Sequence, residues 1–147
     1  MRTRNVTVVL LCSLLFGCDA SQKRLEEAVK RVSGANTQEQ RFYALGEAAK
    51  ESFNAGKIEN ARKYAQELTS LSPTFRSNWN YGNAVQDANL VLGRIALKED
   101  RIDEAKKQLL EAGKSPGSPQ MDSFGPNVSL AKDLLEKGER DVVLEYF

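Results

Sequence analysis

Apolar residues recur along most of this 147-residue chain with the spacing of one helix face. The first such face comprises Leu25, Ala28, Val29 and Val32, and Gly34 is placed to end that helix. Later periodic segments come in pairs separated by short turns, at residues 40–55 and 59–71, 84–98 and 102–112, and 129–137 and 141–147. No alternating run of β-branched residues follows residue 17, so the pattern predicts an all-α fold.

The three pairs share columns of similar residues when they are aligned on Ala61, Ala105 and Val143, each early in a second helix. Five positions before each anchor lies a turn residue (Gly56, Asp100, Gly138), and eight before it a large apolar residue (Phe53, Leu97, Leu135). Twelve positions before each anchor lies a small residue (Ala49, Gly93, Ala131), and four after it an apolar residue (Ala65, Leu109, Phe147). Small residues let antiparallel helices approach closely, and large ones fill the gaps between neighbouring pairs. The columns therefore predict a stack of similar helical hairpins.

This pattern resembles the tetratricopeptide repeat, a helix-turn-helix unit of 34 residues. The residues that match are Leu92-Gly93, Ala105, Leu109, Ala49, Ala131 and Pro73. The resemblance implies an α-α superhelix of about three hairpins over residues 39–147, the last one incomplete. A short N-terminal helix precedes it, either as a spacer or packed on the stack.

The units also depart from the repeat motif. Their anchors are 44 and 38 residues apart, so 10 and 4 residues are inserted relative to a 34-residue unit. Ser52, Ala96 and Leu134 stand where a tyrosine is common in the family. An irregular stack of helical hairpins without repeat ancestry is the alternative interpretation.

The inserted residues lie in two stretches that proline and glycine punctuate, so both are predicted to be loops. The first carries Phe75, Trp79 and Tyr81. The second leads to Phe124 and then to Asn127, which is placed to cap the next helix. Aromatic residues in long loops mark a binding surface or cover the ends of adjacent helices, and the sequence leaves both interpretations open.

The start of the chain has the pattern of a secretion signal. Arg2 and Arg4 precede an uncharged stretch from Val6 to Phe16. A permanent membrane-spanning helix needs about 20 apolar residues, so this stretch is too short for one.

The stretch ends in Leu15-Phe16-Gly17-Cys18, which resembles the lipobox of bacterial lipoproteins. The resemblance implies a signal peptide over residues 1–17, acylation of Cys18 and a lipid-anchored tether over residues 18–38 that contains the short amphipathic helix. An ordinary signal peptide cut near Gly17 is the alternative. A lipobox implies the bacterial cell envelope. Asp19 resembles a retention signal, which favours the inner membrane, facing the periplasm, over the outer membrane.

Charge and composition exclude several classes of function. Removing Arg2 and Arg4 with the signal peptide leaves 19 of the 21 basic residues against 20 acidic ones, a net charge of −1. A nucleic-acid-binding protein normally has a basic surplus, so no nucleic-acid partner is predicted. The chain has no histidine, which is the commonest general base and metal ligand. We therefore expect neither an enzyme nor a metal or other cofactor.

One polar column indicates binding. Eleven residues before each anchor stands a basic residue, namely Lys50, Arg94 and Lys132. In a tetratricopeptide-like stack this column lines the concave surface, where cations bind peptide carboxylates or other anions. Tyr43 and Asp87 complete the candidate residues of this groove.

The leading hypothesis is a membrane-anchored adaptor that binds a protein or peptide partner through this groove. A structural or assembly subunit, which docks through its convex face and open C-terminal end, is the alternative. For that end we expect an apolar patch formed by Val142, Val143, Tyr146 and Phe147. An envelope hydrolase restricted to carboxylate chemistry ranks behind both.

Overall fold

The protein is all-α, as the sequence predicts. The computed structural model describes the backbone of residues 6–147 and the side chains of residues 20–147, and this part contains no strand. The α-helices of this part are α1 (Val6–Ser33), α2 (Gln38–Asn54), α3 (Ile58–Leu71), α4 (Tyr81–Lys98), α5 (Ile102–Gly113), α6 (Pro119–Phe124), α7 (Ser129–Glu136) and α8 (Arg140–Tyr146), with a short 3-10 helix at Ser72–Phe75.

Helix α1 is longer than predicted, and its second half belongs to the folded body. Leu25, Ala28 and Val32 are buried, and α1 lies against α2. The predicted short amphipathic helix that ends at Gly34 is therefore packed on the stack and is not a free spacer. The side chains of the lipobox, including Cys18, lie outside the described ones. Among the described residues, no helix has both the length and the apolar character that a bilayer crossing requires.

Three helical hairpins follow, formed by α2 and α3, by α4 and α5, and by α7 and α8. Each connection has three residues, and its central residue is left-handed: φ is +71° at Gly56, +54° at Asp100 and +87° at Gly138. In each hairpin, the backbone amide of the residue after the left-handed one donates to a carbonyl of the preceding helix, as Lys57 does to Ser52 at 2.8 Å. This bond satisfies a carbonyl that the helix end leaves free. The turn column of the sequence is thus confirmed in all three hairpins.

The hairpins pack in chain order. Helix α4 lies against both α2 and α3, and α7 lies against both α4 and α5. The predicted column of small residues is buried where these helices meet, with Ala49 and Ala131 at most 2% exposed and Gly93 also buried. A Cβ atom on Gly93 would overlap a methyl group of Leu130 and lie 3.0 Å from the Cβ of Gln108.

Neither insert is purely a loop, contrary to prediction. Tyr81 already belongs to α4, and six residues of the second insert form α6. The hydroxyl of Ser118 accepts from the amide of Met121 at 3.1 Å, and Pro119 opens the helix. A capping serine followed by proline is a strong helix start even in a short segment. Asn127 lies one residue before the helix cap, and its side chain accepts from the amide of Ser129 at 2.9 Å.

Some aromatic residues of the inserts cover the ends of adjacent helices, and others remain exposed as a binding surface would require. Phe75 folds back and stacks on Phe42 with ring centroids 4.6 Å apart. Trp79 and Phe124 are exposed, by 58% and 89%. The first insert therefore both covers the core and leaves an aromatic surface.

The apolar patch at the end of the third hairpin differs from the prediction. Val142 and Val143 are buried, because α8 lies against α5 and completes a cluster with Leu109. Tyr146 is half-buried on the same cluster, whereas Phe147 is 77% exposed.

Candidate functional site

A groove begins between α1 and α2, continues along α2 and α4, and joins three neighbouring cavities. The first, of about 710 Å³, shares Arg31 and Tyr43 with the second, of about 210 Å³. The second shares Lys50 and Asp87 with the third, of about 120 Å³, which extends to Arg94. We call this surface the α2–α4 groove. It contains four of the five groove residues that the sequence singled out.

Lys50 and Asp87 form an ion pair across the middle of the groove. The Nζ atom of Lys50 lies 3.1 Å from a carboxylate oxygen of Asp87 and 3.3 Å from one of Glu47. Burial lowers the pKa of Lys50, but the two carboxylates outweigh burial and raise it. For Asp87, burial has the opposite effect and raises the pKa of the carboxyl group, which the positive charge of Lys50 only partly opposes. Since an ammonium group has three N–H donors, the two carboxylates leave one of them for a ligand.

Arg94 is also paired. Its Nε atom donates to Asp133 of α7 at 2.7 Å, and its guanidinium group lies 4.7 Å from the ring centroid of Phe53. The first two cations of the predicted ladder are therefore each neutralised by a carboxylate from the next hairpin. Charged groups already paired within the protein attract anions less strongly than free ones, so the groove is a polar surface and not a strip of free cations.

Lys132, the third member of the column, lies outside the groove cavities. Its side chain is 76% exposed, and the nearest carboxylate oxygen in an ion pair with it is that of Glu136 at 4.0 Å. The structure thus brings Tyr43, Lys50, Asp87 and Arg94 together and separates Lys132 from them.

The structure adds an aromatic pair that the sequence did not reveal. Trp79 stacks on Tyr43 with ring centroids 5.8 Å apart and an interplanar angle of 28°. The side-chain amide of Asn78 donates to the Tyr43 hydroxyl at 2.7 Å and holds this ring in place. Both rings remain partly exposed, at 58% and 38%. The pair is a rigid apolar platform beside the polar part of the groove.

Amide side chains line the groove wall next to this platform. Asn80, Asn83 and Gln120 all border the second cavity, and Asn83 donates to Gln120 at 2.7 Å. The asparagine-rich stretch at residues 78–83 was the signal for these groups. These side chains lie next to Gln120 only because of how the second insert folds, and the hydrophobic periodicity of the sequence does not predict that fold.

The second insert is fixed on the first turns of α4. The Ser115 hydroxyl donates to the carbonyl of Gly82 at 2.8 Å, and the Ser118 hydroxyl donates to Asn83 at 2.6 Å. The amide of Asn127 donates to the side chain of Gln86 at 3.1 Å. These bonds place Gln120 and Asn127 at the edge of the groove.

Replacing Gly82 with alanine should loosen the attachment of this insert to α4. The added Cβ would lie 2.6 Å from the carbonyl carbon of Gly117 and closer still to its oxygen, and backbone cannot rotate away as a side chain can. We expect local opening of residues 114–127 to become easier by more than about 1 kcal/mol, the worth of a typical hydrogen bond, since the Ser115 bond would be lost and the overlap with the Gly117 backbone adds to that loss. Hydrogen exchange of these amides measures the effect.

Ser115→Ala is the matched control for Gly82→Ala, because it removes the same hydrogen bond without the steric overlap. It should accelerate exchange less than Gly82→Ala does. Equal exchange rates in Gly82→Ala and the wild type would show that the two backbones do not meet.

Among the described side chains, no three carboxylate or thiol groups cluster in a way that would hold a metal ion. The groove offers amide, ammonium, guanidinium and carboxylate groups together with two aromatic rings, which can hydrogen-bond and stack with a ligand.

No family model matches the chain, and searches of curated proteins and of solved structures find no significant match.

Proposed function

We propose that this protein is a lipid-anchored helical-repeat adaptor that binds a protein or peptide partner in the bacterial cell envelope. The lipobox-like motif ending in Cys18 supports the anchor, and Asp19 favours the inner membrane, facing the periplasm. The repeated left-handed turns and buried small residues support a tetratricopeptide-like superhelix. The observation that carries the binding role is the α2–α4 groove with its exposed Tyr43–Trp79 platform.

The groove suits an extended peptide segment. Main-chain N–H and C=O groups of a peptide need partners, and Asn80 and Gln120 supply both donors and acceptors, whereas both amide hydrogens of Asn83 already bond to these two residues. An apolar or aromatic side chain of the peptide would rest on the Trp79 platform, because aromatic rings provide much of the binding energy at protein interfaces. The paired charges of Lys50 and Asp87 add a donor and an acceptor within reach. No catalysis is part of this proposal.

Removing the platform should weaken partner binding. We expect the double variant Tyr43→Ala, Trp79→Ala to recover at least about tenfold less partner than the wild type, because truncating one central aromatic residue costs about 2 kcal/mol. Photo-crosslinking from a groove position in intact cells, followed by quantitative mass spectrometry of the captured partner, measures this. Both side chains are substantially exposed, so the melting temperature should change little.

Phe124→Ala is the matched control, since Phe124 is a more exposed aromatic residue that neither lines the groove cavities nor stacks on Tyr43, as Trp79 does. It should leave partner recovery unchanged. Equal recovery by the double variant and by Phe124→Ala would place the partner elsewhere and refute a role for the groove. Lys50 and Arg94 are poor targets, because reversing either charge also breaks an ion pair between hairpins.

A structural or assembly subunit is the second candidate. The observation that favours it is the group of exposed apolar side chains on the third hairpin, among them Leu135, Leu144 and Phe147. Light scattering of the protein in detergent distinguishes self-assembly from adaptor binding. A monomer at high concentration would count against self-association.

A further inference from the structure

The amide side chains on the groove wall belong to one hydrogen-bond network whose direction is fixed. A backbone N–H group can only donate, so the amide of Met121 makes the Ser118 oxygen an acceptor at 3.1 Å. The Ser118 hydroxyl in turn donates to the side-chain oxygen of Asn83 at 2.6 Å, a length typical of an O–H···O bond. Turning the Asn83 amide over would remove the acceptor of this hydroxyl hydrogen, so the network assigns the orientation of Asn83.

The same direction continues to the edge of the second cavity. Because the Asn83 oxygen faces Ser118, its NH2 group donates to the side-chain oxygens of Asn80 and Gln120, at 2.8 and 2.7 Å. The NH2 groups of Asn80 and Gln120 then have no partner within the described part of the chain, and both residues border the second cavity. Asn83 is therefore a positioning residue that leaves two NH2 donor groups for a ligand.

A cation without an ion pair borders the same cavity. Arg31 of α1 is exposed, and its guanidinium group forms no ion pair with any carboxylate of the described side chains. It borders the first cavity as well, together with Tyr43 of the platform. The other charged residues of the first cavity, Glu27 and Lys30, have opposite signs. Arg31 thus adds a positive charge where the first and second cavities meet.

The carboxylates of the second cavity lie near its other end. Glu47 and Asp87 have oxygen atoms 3.3 and 3.1 Å from the ammonium group of Lys50. Lys50 and Asp87 are shared with the third cavity, whereas Arg31 is shared with the first. The two carboxylates therefore already share a cation, and the Arg31 end of the cavity has none of its own anions paired with it.

We infer that the second cavity is a carboxylate subsite, in which Arg31 and the NH2 groups of Asn80 and Gln120 bind a carboxylate of the partner peptide. The neighbouring residue of the peptide then rests on the platform of Tyr43 and Trp79. A carboxylate has only acceptor atoms, and its hydrogen bonds are about twice as strong as those between neutral groups. A neutral carbonyl group would leave the guanidinium charge unpaired. This inference rests on the proposed function, because it specifies the chemistry of the peptide that the groove binds.

The test uses the full chain in detergent and a library of random short peptides. Peptides that the wild type selects should carry a carboxylate next to an aromatic or apolar residue. Fluorescence anisotropy then measures the affinity of the most enriched peptide before and after one carboxylate is replaced by its amide, with acidic side chains and the C-terminus changed separately. Amidating the bound carboxylate should weaken binding at least about tenfold, and this comparison shows which of the two sources supplies it.

Arg31→Gln should remove most of this preference. We expect it to bind the acid form of the peptide about tenfold more weakly than the wild type does, with little change for the amide form. Arg140→Gln is the matched control, because Arg140 is an exposed arginine outside the groove cavities. It should keep the wild-type preference.

Asn83→Asp should reverse the preference. An ionised aspartate side chain cannot donate, so Asn80 and Gln120 would turn their NH2 groups towards it and their oxygens towards the cavity. The added negative charge also opposes a bound carboxylate. The amide form of the peptide should therefore bind more tightly than the acid form, a reversal that a merely loosened wall would not produce.

The possible failures of this inference and of the proposed function differ. Selected peptides that need the platform but share no carboxylate would overturn the inference and leave the groove as a peptide-binding site. Equal affinities of Arg31→Gln and Arg140→Gln for the acid form would overturn it as well. If no peptide is enriched, or if the double variant Tyr43→Ala, Trp79→Ala selects the same peptides as the wild type, the proposed role of the groove is wrong and the inference fails with it.

Discussion

Gly93→Leu is expected to lower the free energy of unfolding by about 1–3 kcal/mol, the usual cost of forcing extra volume into a filled core. Since whole domains are stable by only about 5–15 kcal/mol, this is a large fraction of the total. Chemical denaturation followed by far-UV circular dichroism measures the change as a lower midpoint at similar slope.

The geometry at Gly93 explains the size of the effect. Gly93 lies in α4 where Leu130 of α7 and Gln108 of α5 converge on it, and even a single Cβ atom would be too close to both. A leucine must displace α7, which separates the second hairpin from the third, or α5, which opens the second hairpin itself. The removal of a helix glycine works in the opposite direction by about 1 kcal/mol, which makes the expected loss a net value.

Gln66→Leu is the matched control, because it places the same side chain on an exposed position of α3. Its midpoint should stay within the range of ordinary surface substitutions, about 0.5 kcal/mol. If Gly93→Leu unfolded at the same denaturant concentration as Gln66→Leu, the close approach of the hairpins described here would be wrong.

Cys18→Ser is expected to abolish membrane anchoring. Stable anchoring takes more than one acyl chain, and the lipobox cysteine is the residue that would carry them. The variant should accumulate as uncleaved precursor or appear in the soluble fraction, with no acyl mass on the protein. Cell fractionation and intact-protein mass spectrometry measure both outcomes.

Cys12→Ser is the control for this change, since Cys12 lies in the segment that processing would remove. It should leave the mature protein identical in mass to the wild type. A mature wild-type chain that begins at an unmodified Cys18 would disprove the lipid anchor and favour the ordinary signal peptide.

The repeat pattern was readable from the sequence because each column has a local physical cause. A left-handed turn favours glycine and tolerates aspartate, so Gly56, Asp100 and Gly138 mark the connections directly. Buried helix crossings require small residues, which Ala49, Gly93 and Ala131 reveal in the same way.

The ion pairs of the groove could not be predicted from the sequence, because their two acidic residues do not share a column of the alignment. Asp87 lies eighteen residues before Ala105, whereas Asp133 lies ten residues before Val143. The same contact is therefore made from different positions, after inserts of different length. Likewise α6 has only six residues, too few for a periodic pattern, so its capping serine and proline were its only signal.

The early burial of α1 limits how far the protein can reach. Leu25 is already in the core, and the seven residues from Cys18 to Leu25 span at most about 25 Å even when fully extended. With the lipid anchor proposed above on Cys18, the folded body would be confined to a thin layer at the bilayer surface. Partners that share the membrane would then meet it at a high effective concentration, so that even weak contacts would suffice for lasting association. A freely diffusing protein would have no such advantage, so we expect the proposed short link to favour membrane-bound partners.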